Sequence, residues 1–465
     1  MFAFDTMLIQ LGLITLTSAS DVGWNHGTHS AVVGWNSTFL SQLQHEIATN
    51  GTVRPALRRS LHALQKEAVQ ALDFKPPSVV TAGGTPFPGT GVTPHDLWIL
   101  ATYAWPCGTP CNRSRFKSCS NWWRRPHYKT PGRDRCDNDT GLPWEEHDGY
   151  PQPEGMEDIK ASDLMSDAVT QLALAHYLLR NDTFGSQAVR LLKVWFLDDA
   201  TAMTPNLAHA AIIPGVTNGS STGIIVTSHR WNSRLTDSMA LLHSTGALRE
   251  PSLSRLHAWN NKYLQWLLGP IGRREANMPQ NHATWHTVET AALAASAGDV
   301  ATAAARLTRL TKDNTPGALG HQILASGLMP LEANRTDGAS YSCMNVAALF
   351  AAATIGRNLG DPSVPDLFEY QNATGNGTGS IRRALDYLLQ FATNKSKPWP
   401  WSQATKAPPW TELAPQMLIA ATVYGEPRYE RMIAELPWDK AGKHWPQEKS
   451  WDVAVERLLY PSTID

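Results

Sequence analysis

Excess charge of either sign is missing from this chain. Forty Lys and Arg oppose forty-one Asp and Glu over 465 residues, a net charge of −1. Bulk electrostatics therefore draw it neither to nucleic acid nor to an anionic membrane, although a locally basic groove is not excluded. Residues 1–20 are apolar and end in small residues, but are too short to span; they read as a signal peptide cleaved after Ala19 or Ser20. They lack a basic first segment, and the rival reading is a buried N-terminal stretch. Strongly alternating strand patterns are absent. So are the paired Cys-x2-Cys spacing of common zinc modules and the His-Glu-x-x-His zinc motif.

Helical periodicity is present along most of the chain. Leu40, Leu43 and Ile47 form one stripe, and Leu57, Leu61, Leu64, Ala68 and Leu72 a second, with Pro55 between them. Residues 74–95 are rich in Pro and Gly and read as a loop; 96–106 are apolar and aromatic. Two helices are expected within 160–197, separated near 180–184. Further helices are expected over 233–248, 252–268, 299–310, 318–328, 341–355, 381–393, 414–424 and 429–436. Lengths of ~12 to 18 residues with short joins predict an all-α chain of paired helices. The 42% of apolar residues supplies a sizeable core, and after the signal peptide residues 21–465 read as one large domain.

Two features point to a secreted, extracellular glycoprotein. Asn-x-Ser/Thr acceptors occur at Asn36, Asn50, Asn112, Asn138, Asn181, Asn218, Asn334, Asn372, Asn376 and Asn394. Cys107, Cys111, Cys119 and Cys136 lie close together, while Cys343 stands alone. The four predict two disulfides in one of three connectivities, with a four-cysteine metal site as the alternative. The same loop, 107–154, interleaves Arg113, Arg124, Arg125 and Arg135 with Trp122, Trp123, Tyr128 and Trp144. That mixture suits an anionic polymer. Nucleic acid meets the same pattern, but an anionic polysaccharide agrees better with secretion; the plain alternative is a pinned surface loop. Eighteen Trp also suit sugar rings, whose faces stack on indole, or else fill gaps between helices.

Two polar clusters carry the chemistry. The first is the stretch 277–289, in which Pro279 stops the chain before Asn281 and His282 open an Ala-rich helix, with their polar groups at its mouth. The second is Glu332-Ala-Asn-Arg-Thr-Asp-Gly-Ala-Ser-Tyr341. A His exchanges protons near neutral pH, and a Tyr of lowered pKa serves as base or acid. Arg and Asn hold a carboxylate and stabilise added negative charge on it. Asn281, His282, Arg335 and Tyr341 together are what abstraction of a proton beside a carboxylate requires: a base takes the C5 proton of a uronate, and an acid protonates the O4 leaving group. Neither metal nor cofactor is needed. The rival is a zinc site on His282, His286 and Glu289, spaced along one helical face. Glu332 is expected to pair with a neighbouring Arg or His. If Arg335 points into the cleft, Asn334 beside it is expected to be too buried to carry a glycan.

The chain resembles the alginate-lyase superfamily of polysaccharide lyases. The matching stretches are Tyr103-Ala-Trp-Pro106, Trp195-Phe-Leu-Asp198, Met203-Thr-Pro-Asn-Leu207, Gly223-Ile-Ile, Asn281-His-Ala-Thr-Trp285, Met329-Pro-Leu-Glu-Ala-Asn-Arg335 and Ser340-Tyr-Ser342. The resemblance implies an incomplete (α/α) toroid and β-elimination of an acidic polysaccharide. It implies that Asn281 and Arg335 neutralise the uronate carboxylate, that His282 is a base or charge-stabilising partner, and that Tyr341 shuttles the proton. The chain departs from the family at Gln280-Asn281-His282, where Asn-Asn-His is usual, and at His286, where a Tyr is usual. His286 is placed with the substrate-binding residues. Asn206 and His209 are expected on the cleft wall; His229, Arg230 and Arg274 are candidates for further carboxylates; Trp105, Trp285, Trp399 and Trp401 are candidate sugar platforms. The polymer is β-1,4-glucuronan or alginate, with glucuronan favoured for a eukaryotic secretor such as a fungus. Two other functions compete. One is a hydrolase with two carboxylates among Asp198, Asp199, Glu332 and Asp337. The other is a binding glycoprotein that grips the polymer without cutting it.

Overall fold

The computed structural model describes residues 32–51, 53–84, 86, 90–105, 143–151, 155–217, 231, 233–374, 377–404, 407–438 and 453–463. Residues 1–20, expected as a signal peptide, the four clustered cysteines, His229 and Arg230 lie outside these. The main helices are α1 (Ser37–Asn50), α2 (Pro55–Leu72), α3 (Glu157–Leu179), α4 (Asp182–Phe196), α5 (Arg234–Ser244), α6 (Ser252–Leu268), α7 (Arg273–Ala276), α8 (Asn281–Ser296), α9 (Val300–Thr308), α10 (Pro330–Ala333), α11 (Gly338–Leu359), α12 (Ile381–Ala392) and α13 (Ala414–Val423).

Local chemistry explains the boundaries. Pro55 is the first residue of α2, where its missing N–H costs nothing. The α3–α4 hairpin turns on Arg180, in the left-handed region at φ 52°, and Asn181 caps α4 by accepting from the Thr183 amide. Over 318–328 only Leu319–Gln322 is helical. Beyond it the Leu324 and Leu328 main chains close a tight turn.

Burial separates two kinds of helix. In α3, α8 and α11 most residues are buried, including Ser, Thr, Asn and Ala on every side. A helix apolar or small all round is surrounded by others. α11 is by length and composition apolar enough to cross a membrane, yet it is packed within the protein, against α8, α9, α10, α12 and α13. α8 packs on α5, α6, α7, α9 and α11, and α3 on α1, α2, α4 and α5. α4 and α12 bury one face only, the pattern of outer helices.

The described strands are short. β1 (Trp98–Leu100) lies parallel to β4 (His209–Ile212). β2 (Ala104–Trp105) pairs antiparallel with β3 (Glu145–Glu146), and β5 (Asn372–Thr374) with β6 (Gly377–Gly379). The β2–β3 pair brings residues 143–151 against Tyr103. Among the glycosylation acceptors, Asn50, Asn181, Asn334 and Asn394 are exposed, whereas Asn36 and Asn372 are buried and leave no room for a glycan. The expected burial of Asn334 is thus corrected: its side chain faces outward from the end of α10.

Candidate active site

α8 begins at Asn281, and its first turn meets α10. The Asn281 main-chain N–H donates to Glu332 Oε1 at 2.7 Å, and its side-chain amide donates to both Glu332 oxygens at 2.8 and 2.9 Å. Both residues are buried, Asn281 at 1% exposure. The expectation of polar groups at an open helix mouth holds for His282, which is partly exposed, and not for Asn281. Glu332 pairs with Asn281 rather than with an Arg or His. Burial pushes its carboxyl above the usual range, while the Asn281 donors pull the other way.

His282 lies one residue on. Its Nδ1 sits 2.5 Å from Oε2 of Glu275, a buried carboxylate on α7. A carboxylate on one ring nitrogen sets the tautomer and leaves Nε2 for chemistry. Glu275 had no signal in the sequence beyond its position seven residues before His282.

The second cluster converges from three parts of the chain. Arg335 grips Asp148 with two nitrogens, Nε to Oδ2 at 3.1 Å and Nη2 to Oδ1 at 2.5 Å. The Thr336 amide donates to the same Oδ2 at 3.1 Å. The guanidinium carbon lies 3.7 Å from the centre of the Tyr341 ring, a cation–π contact. The Tyr341 hydroxyl is 2.6 Å from the Tyr103 hydroxyl and 3.1 Å from Asp148 Oδ1. Tyr341 has one proton to donate. With Asp148 accepting it, Tyr103 donates to Tyr341, giving a relay from Tyr103 through Tyr341 to Asp148.

Electrostatics follow from burial and from these contacts. Burial lifts the Tyr103 phenol to about 12. Burial likewise lifts Tyr341 well above the ordinary phenol value; Tyr103 and Asp148 push it further up, and Arg335 opposes them. Both phenols are protonated at neutral pH. Asp148 is held below the usual carboxylate range: burial opposes ionisation, but the Arg335 bond and charge, the Thr336 amide and the Tyr341 hydroxyl outweigh it.

Several expected site residues lie elsewhere. His286 is fully buried, with Nε2 3.0 Å from the Leu267 carbonyl and Nδ1 3.1 Å from Arg306 Nη2. Burial, then the Arg306 charge, lowers it to about 4. It is a neutral packing histidine, and its place with the substrate-binding residues is corrected. Glu289 meets the Tyr263 hydroxyl at 3.1 Å in the interior. With both His286 nitrogens engaged, His282, His286 and Glu289 do not converge on an ion. Trp285 is also core, not platform, because its face of α8 points inward at 5% exposure. Trp399 is wedged edge-on among Tyr387, Phe391 and Trp410. Trp401 is exposed, its indole N–H on the Tyr387 hydroxyl at 3.2 Å. The Trp105 indole donates to the Tyr150 carbonyl at 2.8 Å, two residues from Tyr103. Asn206 closes a local turn onto the Ala208 amide; His209 lies 3.8 Å from Asp96; Arg274 is exposed beside Glu275. Of the carboxylates considered for hydrolysis, Asp198 and Asp199 are exposed after α4, while Glu332 and Asp337 are buried.

Tyr103 and Asp148 were not among the expected site residues. Tyr103 stood within a stretch resembling the family, and Asp148 within the loop expected to bind the polymer.

Comparison with known proteins bears on this arrangement. The family model described as alginate lyase matches residues 113–399. Among solved structures, an alginate lyase from Bacteroides ovatus superposes with a TM-score of 0.72 at 23% identity, covering 92% of this chain and 98% of its own. Alginate lyase A1-III from Sphingomonas species A1 gives a TM-score of 0.44 at 12% identity, over 85% of this chain and 93% of its own. No curated protein sequence matches the chain. The fold is all-α, an incomplete (α/α) toroid.

Proposed function

The chain belongs to the alginate lyase family of polysaccharide lyases, and on that premise we propose that it is a secreted enzyme that cleaves a 4-linked uronate polymer by β-elimination. The product is a 4,5-unsaturated uronate end. The observation that carries this reading is the Arg335 guanidinium stacked on the Tyr341 ring, with the buried Glu332 carboxylate acted on by the charges of both Arg335 and His282. Proton carriers with cationic help suit a carbanion-like intermediate, whose charge spreads onto the uronate carboxylate.

The roles divide as follows. Arg335 neutralises the substrate carboxylate through the N–H groups that Asp148 leaves available. Asn281, with its amide hydrogens on Glu332, fixes the start of α8 and hence His282. Tyr341 carries the proton on the ring face shared by H5 and O4. In both glucuronate and mannuronate these two groups lie on the same face, so Tyr341, once its own proton has left and it is a phenolate, takes H5 and passes that proton to O4; in guluronate they lie opposite, and His282 is then needed as the base. Trp105 and Trp401 are platforms for neighbouring sugars. Glucuronan is the favoured polymer, with polymannuronate next.

The test is the ultraviolet absorbance of the unsaturated product, followed with glucuronan, polymannuronate and polyguluronate in parallel. A rise on the first, lost in Tyr341→Phe and in His282→Ala, is the expected result. New reducing ends without absorbance mean hydrolysis, and binding without either product means a polysaccharide-binding protein; each sinks the lyase reading.

A further inference from the structure

The loop that carries Asp148 is fastened without its carboxylate. The His147 amide bonds to the Tyr103 carbonyl at 2.7 Å. The Trp105 indole bonds to the Tyr150 carbonyl at 2.8 Å, and β2 pairs with β3 just before. Gly149, at φ 79°, lies against Thr336 so closely that an added Cβ would sit 2.8 Å from that side chain. The carboxylate itself makes no bond to its own loop among those described. Its described bonds all reach a distant part of the chain: Arg335 twice, the Thr336 amide and the Tyr341 hydroxyl.

This carboxylate therefore bears on the two groups to which the lyase reaction is assigned. Its bidentate hold fixes the guanidinium plane over the Tyr341 ring, because Nε and Nη2 define that plane. Its Oδ1 also competes for the Tyr341 proton. Three groups face that hydroxyl: Tyr103 from the β2 approach, Asp148 from the loop and Arg335 from the turn after α10. Asp337 acts on Tyr103, and Glu332 on Arg335. The Arg335 charge favours a phenolate; the Asp148 charge opposes it.

We propose that Asp148 is a positioning residue for the elimination: it holds Arg335 on the Tyr341 ring and sets how readily Tyr341 gives up its proton. The proposal rests on the reading of Tyr341 as the proton carrier. It predicts that the negative charge, not the attachment of the loop, is what matters to the reaction.

The experiment uses the full chain with tyrosine labelled at the ring Cζ. Carbon NMR follows the Tyr341 signal, identified by its loss in Tyr341→Phe, as pH is raised. In Asp148→Asn that signal is expected to start its move toward phenolate at least roughly one pH unit earlier than in wild type, the size of a lost neighbouring charge. The pH limb of kcat/KM that reports Tyr341 moves the same way, whether the limb is acidic or basic. Asp148→Glu keeps the charge and is expected to stay near wild type. Asp148→Ser serves as a second neutral variant should Asp148→Asn fail to fold. Loss of turnover with the Tyr341 signal and the limb unmoved would reduce Asp148 to a structural tie and overturn the proposal. Full activity in Tyr341→Phe would instead overturn the proton-carrier reading, and the NMR shift would still report separately whether Asp148 governs the phenol.

Discussion

His282 and His286 sit one turn apart on α8, and their surroundings divide them. Partly exposed His282 leans on the Glu275 carboxylate, and buried His286 is wedged between a carbonyl and a guanidinium. The second arrangement has a price in acid. His286 titrates near 4 in the fold against 6.5 in an ordinary setting. Between these values the unfolded chain takes up a proton that the folded chain refuses, so unfolding is favoured as pH falls. The stability is present above about pH 6.5 and is lost toward pH 4, by roughly 3 kcal/mol at about 1.4 kcal/mol per unit. His286→Gln keeps a donor for Leu267 and an acceptor for Arg306 but cannot titrate. Urea unfolding of both proteins at several pH values is expected to show wild type losing its advantage over the variant across that window. A constant difference between the two would mean that His286 is already protonated in the fold.

The elbow between α10 and α11 builds the site at the scale of elements. Arg335 and Tyr341 are six residues apart, a spacing that no single helix places face to face. They meet because α10 ends, the chain bends through Thr336 and Asp337, and α11 starts at once at Gly338. That start is crowded: a Cβ on Gly338 would lie 2.2 Å from the Ala333 carbonyl oxygen and 2.8 Å from its carbon, both backbone atoms. Gly338→Ala must therefore push α10 off α11. The expected cost is about 1 to 3 kcal/mol, read from the denaturant midpoint, with a fall in kcat under conditions where the variant is still folded. An unchanged midpoint would mean that the elbow is looser than its geometry. Contacts of this kind also explain what the sequence leaves hidden. The limits of α6 and the opening of α8 at Asn281 were legible because periodicity, Pro279 and the Ala-rich run are local signals. The positions of Asn281 and His282 at the opening of α8 and of Arg335 in the turn after α10 were legible because element starts and turns carry local signals. Asp148 and Tyr103 were not, since their bonds to Arg335 and Tyr341 span 187 and 238 residues. Trp285 and His286 misled because an inner helix buries every side, so polar and aromatic residues there are packing.

At the scale of the molecule, one apolar cluster runs from Val32 to Tyr460 through the described helices. The described residues nearest the two ends of the sequence meet in it. The buried Asp237 carboxylate on α5 accepts the Val33 and Gly34 amides at 2.6 and 2.9 Å. Asn358, near the end of α11, donates to the Val33 and Trp35 carbonyls at 2.8 and 3.1 Å. The Tyr460 hydroxyl donates to the Gly34 carbonyl at 3.2 Å. One short segment thus ties α5, α11 and the 453–463 stretch together, although burial raises the Asp237 carboxyl to about 7. Asp237→Ala leaves two buried N–H groups without an acceptor, at about 1 to 3 kcal/mol each. Because the segment touches three separate parts of the core, the loss is expected to lower the whole unfolding transition and not to detach a strap. The denaturant curve should move to lower midpoint with one transition and the same slope. No residue of the Arg335–Tyr341 cluster or the His282–Glu275 pair is among these contacts, so turnover well below the transition should match wild type. An early partial transition with turnover intact would show instead that the segment melts on its own, and that the toroid around the site holds without it.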